Sequence, residues 1–221
     1  MRPYIGLALY AEGPTDYHFL RPLLLRLTVD LSLRSERSVE IAEQVIALDH
    51  PPVANEAARD VRIAAAARLA RGAWSIAFIH TDGATDATRA RRERAQPAID
   101  RLATECAEAG VGVAVIPVRE TEAWALVDGD ALRTVFGCRL DDAQLGLPQP
   151  RRVESLADPK AVLNHAFAMT NPSPHRCKQG VAPLLNALGE TVSIDALRRL
   201  RSFQSLEDEL KEALRALHVL R

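Results

Sequence analysis

Acidic residues occur in three pairs, and each pair follows an apolar run of the chain: Glu12 and Asp16, Asp82 and Asp86, and Glu120 and Glu122. Carboxylate oxygens are preferred ligands of Mg2+ and Mn2+, so these pairs could hold one or two such ions. Ions of this kind orient a phosphodiester, activate water and stabilise a leaving oxygen. The predicted chemistry is phosphoryl transfer or hydrolysis. The alternative is that the acids only cap helices or lie on solvated surfaces.

The first pair lies where a predicted strand passes into a predicted helix. Residues 5–11 are small or apolar, and Pro14 suits the first helical position. A helix that starts there places Asp16 in its first turn, so that Glu12 and Asp16 both face the partial positive charge of the helix N-terminus. Open α/β sheets bind their ligands at this end of their strands. The alternative is a strand-turn-helix connection with a capping Asp.

Strands and helices alternate through the first 128 residues. Strands are predicted at residues 5–11, 39–48, 74–81 and 111–118, and helices from Pro14 to residues 31–35, at 55–71 and at 87–109, where Pro97 is expected to cause a kink. This order predicts an α/β fold with a mostly parallel sheet flanked by helices and joined by right-handed crossovers. The strands that end at Ala11, Thr81 and Val118 then deliver acids to one edge of the sheet.

Beyond Asp128 the pattern changes, because prolines and glycines interrupt short helical segments. Helices are predicted at residues 161–169, 181–188, 194–200 and 206–220, with no clear strand. The chain is therefore divided into an α/β domain, residues 1–128, and a helical C-terminal cap, residues 129–221, that packs on it. Trp124 is expected to pack the cap onto the sheet.

Charge and composition narrow the classes of function. The 221 residues carry a net charge of -1, so a strong grip on nucleic acid without a partner is not expected. No apolar run is long enough to span a membrane and no secretory signal is evident, which predicts a cytoplasmic protein without membrane association. The three cysteines are far apart and favour neither a disulfide framework nor a cysteine-based zinc site. Glycine-rich phosphate loops and the serine nucleophile elbow are missing from the sequence.

The motif at residues 12–16 resembles the TOPRIM domain, the metal-binding fold of topoisomerases, DnaG-type primases and the nucleases of the OLD (overcoming lysogenization defect) family. Glu12-Gly13 matches the Glu-Gly element of the TOPRIM signature, and the whole motif is similar to the Glu-Gly-x-Thr-(Asp or Glu) variant of the OLD-related branch. The resemblance implies a TOPRIM or Rossmann-like fold. In that branch the second acid, here Asp16, also serves a metal.

The second TOPRIM element, Asp-x-Asp, is matched only in part. Asp82 corresponds to its first Asp, but position 84 is Ala84, and the next acid is Asp86. Residues 120–128, the Asp-Pro-Lys step at 158–160 and the late phenylalanine at 203 are similar to an uncharacterised bacterial family of TOPRIM-like proteins, often linked to phage defence alongside an ATPase. The resemblance covers almost the whole chain.

The resemblance implies a Mg2+- or Mn2+-dependent nuclease of an anti-phage system, which acts on nucleic acid, DNA more than RNA, with an ATPase encoded nearby. A homodimer is left open. The implied catalytic residues are Glu12, Asp82, Glu122 and Lys178, and the implied metal ligands are Glu12, Asp16, Asp82, Asp86, Glu120 and Glu122. Lys160 is the alternative to Lys178 for the lysine that OLD-type nucleases use. The competing hypothesis, favoured by Ala84 and the low net charge, is a non-catalytic sensor or regulatory module that binds a partner protein.

Two further features are interpreted more simply. The cluster Arg89–Arg94 could follow a nucleic-acid backbone, but a solvated helix face paired with Glu93 explains it better. His80 lies within an apolar strand, where a hydrogen-bonded core histidine is the commoner arrangement. We therefore leave His80 out of the catalytic residues.

Overall fold

The computed structural model describes residues 3–35, 38–51, 53–54 and 56–221. Its centre is a parallel sheet in the order β2-β1-β3-β4, formed by β1 (Tyr4–Tyr10), β2 (Glu40–Ala47), β3 (Ile76–His80) and β4 (Val111–Val115). The predicted α/β class with a parallel sheet is confirmed. Apolar and polar residues alternate imperfectly in β2. The structure gives a cause: Ile5 pairs with Ile41 whereas Leu7 pairs with Val45, so that β2 bulges between these pairs.

Eleven α-helices occur in the described residues: α1 (Pro14–Ser32), α2 (Arg59–Leu69), α3 (Ala87–Ala90), α4 (Gln96–Glu105), α5 (Glu122–Ala125), α6 (Gly129–Phe136), α7 (Pro159–Met169), α8 (Pro174–Gln179), α9 (Leu185–Thr191), α10 (Ile194–Leu197) and α11 (Arg201–Ala216). Short 3-10 helices cover Pro150–Ser155 and Ala182–Leu184. The sequence did not predict α6 or α8, and α11 begins before the predicted residue 206. The predicted start of the second helix, Asn55, lies outside the described residues.

The two faces of the sheet carry side chains of different size. Leu7 and Leu9 of β1 point to the face covered by α1, α11 and the C-terminal helices, while Ala8 points to the face covered by α2 and α4. The alanines of α2 allow that helix to pack closely on this second face. The side chains on the first face form one continuous hydrophobic core that extends from the sheet into the C-terminal helices.

Trp124 joins these two parts of the chain, as the sequence predicted. Its ring is buried and packs edge-to-face on Phe203 at 5.3 Å between ring centroids, and its indole N–H donates to Ser202 Oγ at 2.8 Å. A buried indole with a satisfied N–H is a stable anchor. Gly189 makes a second junction, because a Cβ there would lie 2.2 Å from the carbonyl oxygen of Phe19 in α1. The C-terminal helices therefore hold α1, and with it the acid at its first turn, in place.

The helix after Asp86 is continuous but changes its pitch. Residues Arg91–Ala95 between α3 and α4 form a π-helix, which ends two residues before Pro97. Pro97 has no N–H to donate to the carbonyl of Glu93, so an interruption of the α-helical ladder is expected there. The helix ends at Glu105, earlier than predicted. Among the described residues, no helix is both long enough and apolar enough to cross a lipid bilayer.

Candidate functional site

The acids of the first two pairs lie at the point where the sheet reverses its order. From β1 the chain passes through α1 to β2 on one side, and β3 then follows on the other side of β1. The helices α1 and α2 cover opposite faces, which makes the carboxyl ends of β1 and β3 the switch point, where open α/β sheets bind ligands. Glu12 follows β1 and Asp82 follows β3. The predicted placement of these acids on one edge of parallel neighbours is confirmed.

Glu12 binds partners from three other parts of the chain. Thr81 Oγ1 donates to its Oε1 at 2.8 Å, and the backbone N–H of Asp82 lies 3.4 Å from Oε2. Arg94 of the π-helix makes an ion pair with Oε1 at 2.6 Å, and Arg59 of α2 lies 3.6 Å from the same oxygen. The Glu12 carboxylate is therefore balanced by two guanidinium groups.

Asp16 is held by a chain of hydrogen bonds that crosses the site. Its Oδ2 accepts from the Gly13 N–H at 2.9 Å, and its Oδ1 accepts from Thr121 Oγ1 at 2.9 Å. The buried His80 accepts from the Glu12 N–H at Nδ1, 3.4 Å, so its Nε2 carries the proton and donates to Thr121 Oγ1 at 3.2 Å. His80 is thus the hydrogen-bonded core residue that the sequence predicted, and it connects the loops after β1 and β4.

Asp82 differs from Glu12 and Asp16, because one of its oxygens is left uncompensated. Oδ1 is buried and accepts no hydrogen bond from any described residue. His80 Nε2 lies 3.4 Å away, but without hydrogen-bond geometry. Gly83 fixes this loop: its N–H donates to Pro117 O at 2.9 Å, and a Cβ at Gly83 would lie 2.5 Å from Val118 O. Only glycine lets the loops after β3 and β4 approach so closely.

The third pair lies at the start of α5 and faces both the first pair and the cap. Burial, with the neighbouring charges of Asp16 and Glu120, raises the pKa of Glu122, and Lys160 opposes this shift only in part. Glu120 Oε2 accepts from the backbone N–H of Lys160 at 3.3 Å, in the first turn of α7. We call Glu12, Asp16, Asp82 and Glu122 the acid cluster. Lys160 is the lysine that lies beside it.

Two of the predicted residues lie apart from the acid cluster. Asp86 is exposed and caps α3, where its Oδ1 accepts from the Arg89 N–H at 2.9 Å. Lys178 is exposed in α8 and makes no hydrogen bond or ion pair with any residue that the structure describes. Arg89 and Arg92 pair with Glu93, as the solvated-face interpretation predicted. Arg91 and Arg94 depart from it, because they pair with Glu209 and Glu12.

Sequence reasoning did not place five side chains at the site: Arg59, His80, Thr81, Arg94 and Thr121. Two of them adjoin predicted acids in the chain: Thr81 precedes Asp82, and Thr121 stands between the two members of the third pair. Their position next to predicted acids could have indicated that Thr81 and Thr121 belong to the site. Arg59 and Arg94 reach Glu12 from helices far away in sequence. Arg94 belongs to the cluster at residues 89–94, but no local pattern indicates that either arginine contacts Glu12.

The acid cluster has the donor chemistry of a Mg2+ or Mn2+ site. Among the described residues, no group of three or more His, Cys, Asp or Glu side chains adopts ligating geometry. Glu12 and Asp16 instead turn toward arginine, threonine and backbone donors. The uncompensated Asp82 Oδ1 nevertheless lacks a positive partner, and the Glu12 carboxylate lies beside it, 3.4 Å from the Asp82 N–H. These oxygen donors are of the type that a hard cation prefers, but among the described residues they do not form a ligating group.

Comparison of the chain with protein-family models, with curated proteins and with solved structures gave no match in any of the three.

Proposed function

We propose that the protein is a Mg2+- or Mn2+-dependent nuclease that hydrolyses phosphodiesters at the acid cluster. The observation that carries the proposal is the Asp82 Oδ1 atom, a buried carboxylate oxygen without a donor at the switch point of a parallel sheet. Leaving such a group unmatched costs about 1–3 kcal/mol. Unmatched buried polar groups of this kind occur chiefly at functional sites, where their energetic cost serves binding or catalysis.

The residues of the site divide the work between binding and proton transfer. Glu12, Asp16 and Asp82 would hold the ion, which supplies Lewis acidity toward a phosphate oxygen when bound. Burial raises the pKa of Glu122, so Glu122 accepts a proton more readily than an ordinary carboxylate does and suits a general base that orients water. Lys160, rather than Lys178, would oppose phosphate charge, because the charge of Lys160 acts on Glu122. His80 and Thr121 keep Asp16 in position.

A partner belongs to the proposal, because the net charge of -1 gives little general affinity for a polyanion. We infer that an ATPase encoded beside this protein delivers or activates a DNA substrate, in a system that acts against phage. The resemblance of residues 12–16 and 120–128 to OLD-related and TOPRIM-like proteins supports this inference.

The test is cleavage of single-stranded, double-stranded and supercoiled DNA in Mg2+ and in Mn2+, with and without the neighbouring gene product. Cleavage should be lost in Asp82→Ala and in Glu12→Ala, and kept in Asp130→Asn, a substitution of an acid that is 92% exposed on α6. Cleavage that persists in both alanine variants would come from another site or from a contaminant.

The second candidate is a non-catalytic TOPRIM-like module that binds a partner protein. It is favoured by the ion pair of Arg94 with Glu12, which balances part of the acid cluster without a metal, and by Ala84 at the position of the second Asp. Titration calorimetry that detects no binding of Mn2+ at about millimolar concentration would favour this module, since functional sites bind at or below that range.

A further inference from the structure

A cavity of about 440 Å3 lies beside the acid cluster, between the loops after β1 and β2 and the first turns of α1. Its wall includes Tyr10, Glu12, Tyr17, Arg21, Asp49 and Arg62. Glu12 belongs to both the cavity and the acid cluster. A ligand in the cavity therefore reaches the switch point of the sheet from the β2 side. A volume of this size is ample for one small organic ligand.

Arg62 presents an unmatched guanidinium to this cavity. Its side chain makes no hydrogen bond or ion pair with the described residues, and the Nε atom is buried without a partner. Arg59 and Arg94, which lie nearby, are in contrast engaged with Glu12. A buried donor without an acceptor destabilises the free protein, so an acceptor that enters the cavity gains more than an ordinary hydrogen bond. An anion satisfies both the charge and the donor of Arg62.

The rest of the wall favours a phosphate. Arg21 donates to the neutral acceptors Val45 O at 2.6 Å and Gln44 Oε1 at 3.5 Å, so its charge is not cancelled. Asp49, the carboxylate that lines this cavity besides Glu12, is hydrogen-bonded to His50 at 2.7 Å and not to either arginine. Burial raises the pKa of Tyr17 to about 12, so its phenol stays neutral and does not repel an anion. Planar guanidinium groups bind phosphate oxygens in pairs, which suits two arginines on one cavity.

The Tyr10 ring adds an aromatic surface to these charges. It is half-buried, and the guanidinium of Arg59 lies 5.1 Å from its centroid. Aromatic rings beside cationic groups stack nucleobases in proteins that bind single strands, and the stacking tolerates any base. A phosphate site and an aromatic ring in one cavity match the two halves of a nucleotide.

We propose that this cavity binds one nucleotide of the substrate strand next to the phosphate that is cleaved, with Arg62 and Arg21 on its phosphate and Tyr10 on its base. The inference rests on the proposed nuclease function and makes it more specific, because it names a nucleotide unit and the side of the acid cluster that receives it. The same chemistry would admit a free nucleotide, so the test separates the two sources.

The experiment measures binding of a short labelled single-stranded oligonucleotide in EDTA, where no divalent ion is bound, by fluorescence anisotropy. Deoxyadenosine monophosphate and inorganic phosphate serve as competitors. Arg62→Gln should weaken binding of the oligonucleotide about tenfold or more, and Tyr10→Leu about fivefold. Arg34→Gln is the matched control, since it removes the same charge from the far end of α1, where Arg34 pairs with Asp30. Circular dichroism establishes that each variant is folded.

Equal affinities of Arg62→Gln and Arg34→Gln would overturn the proposal, because binding would then depend on net charge alone. Deoxyadenosine monophosphate that binds as tightly as the oligonucleotide would identify a free nucleotide as the ligand and would likewise overturn it. The nuclease hypothesis has a separate test, which is binding of Mn2+. If the wild-type protein binds the strand through Arg62 but binds no Mn2+, the nucleotide site is supported and the catalytic role is contradicted.

Discussion

Two groups of charged side chains in this molecule are built on opposite principles. In the first, Arg198 pairs with Asp30 of α1, Asp195 of α10 and Glu207 of α11. Lys211 of α11 also pairs with Glu207, and we call these five residues the ion network. In the second, the acid cluster, four carboxylates lie in the loops and first helical turns at the carboxyl end of the sheet. In the ion network, the buried acid Glu207 is paired with Arg198 and Lys211. In the acid cluster, Asp82 Oδ1 has no donor.

The pKa values of two glutamates differ accordingly: the pKa of Glu207 in the ion network is lowered, and that of Glu122 in the acid cluster is raised. Burial acts to raise the pKa of Glu207, but hydrogen bonds from Arg198 at 2.8 Å and from Lys211 outweigh it, so that the pKa is lowered. Burial also raises the pKa of Glu122, and there the charges of Asp16 and Glu120 add to it. Side chains that serve folding are matched with partners. The unmatched acids are therefore the ones that point to a function.

The largest effect is expected from breaking the ion network. Arg198→Met leaves Glu207, which is 6% exposed, without its main partner, and should lower the free energy of unfolding by about 3 kcal/mol. Asp195→Asn is the control, because Asp195 is 87% exposed and its loss should cost less than about 0.5 kcal/mol. Urea unfolding measures both. If Arg198→Met lowered the free energy of unfolding as little as Asp195→Asn does, the ion network would contribute little to stability.

The acid cluster should respond with the opposite sign. Asp82→Asn removes the uncompensated charge and should raise the free energy of unfolding of the metal-free protein by about 1 kcal/mol, while it abolishes any stabilisation by Mn2+. Asp16→Asn should lower it by about 1 kcal/mol, since both oxygens of Asp16 accept hydrogen bonds. Thermal unfolding with and without Mn2+ tests this contrast. A loss of stability in Asp82→Asn would mean that Oδ1 is satisfied in solution.

The two glutamates should also give opposite dependences on pH. The raised pKa of Glu122 means that its contribution to stability is present below the ordinary value of 4.5 and is lost as the pH rises through the folded-state pKa. Glu122→Gln should therefore gain stability relative to the wild type as the pH is raised above 4.5.

For Glu207 the pKa is lowered, so its contribution is present above 4.5 and is lost as the pH falls through the folded-state value. The deficit of Glu207→Gln should then be greatest near neutral pH and shrink in acid. Urea titrations of both variants over this range are the measurement, and two curves that run in parallel would contradict the comparison.

The smallest effect is expected at Ala84, which lies at a positive φ of 49°. Asp and Asn adopt this conformation more readily than Ala does, so Ala84→Asp and Ala84→Asn should each gain a few tenths of a kcal/mol. Only Ala84→Asp adds a carboxylate beside the acid cluster, and it should increase the affinity for Mn2+ several-fold. Titration calorimetry compares the pair. Equal affinities would show that position 84 does not face the ion.

The architecture could be derived from the sequence because its signals are local. Apolar runs bounded by glycine or proline marked three strands and imperfect alternation marked β2, and the alternation of strands with helices predicted a parallel sheet. The same runs placed Glu12 and Asp82 at the ends of neighbouring strands, since parallel strands end at a common edge. Helices α6 and α8 were missed, because segments of eight and six residues among prolines and glycines carry too few turns for a periodic signal.

Only the tertiary structure decided which acids are matched. His80 meets Thr121 and Arg94 meets Glu12 across long stretches of chain, and the π-helix before Pro97 gives Arg94 its place in the helix. Asp82 and Asp86 look equivalent in the sequence, yet one keeps a buried oxygen without a donor and the other caps a helix. The energy of a charge depends on its burial and on the distance to every other charge, and a local pattern of residues contains neither quantity.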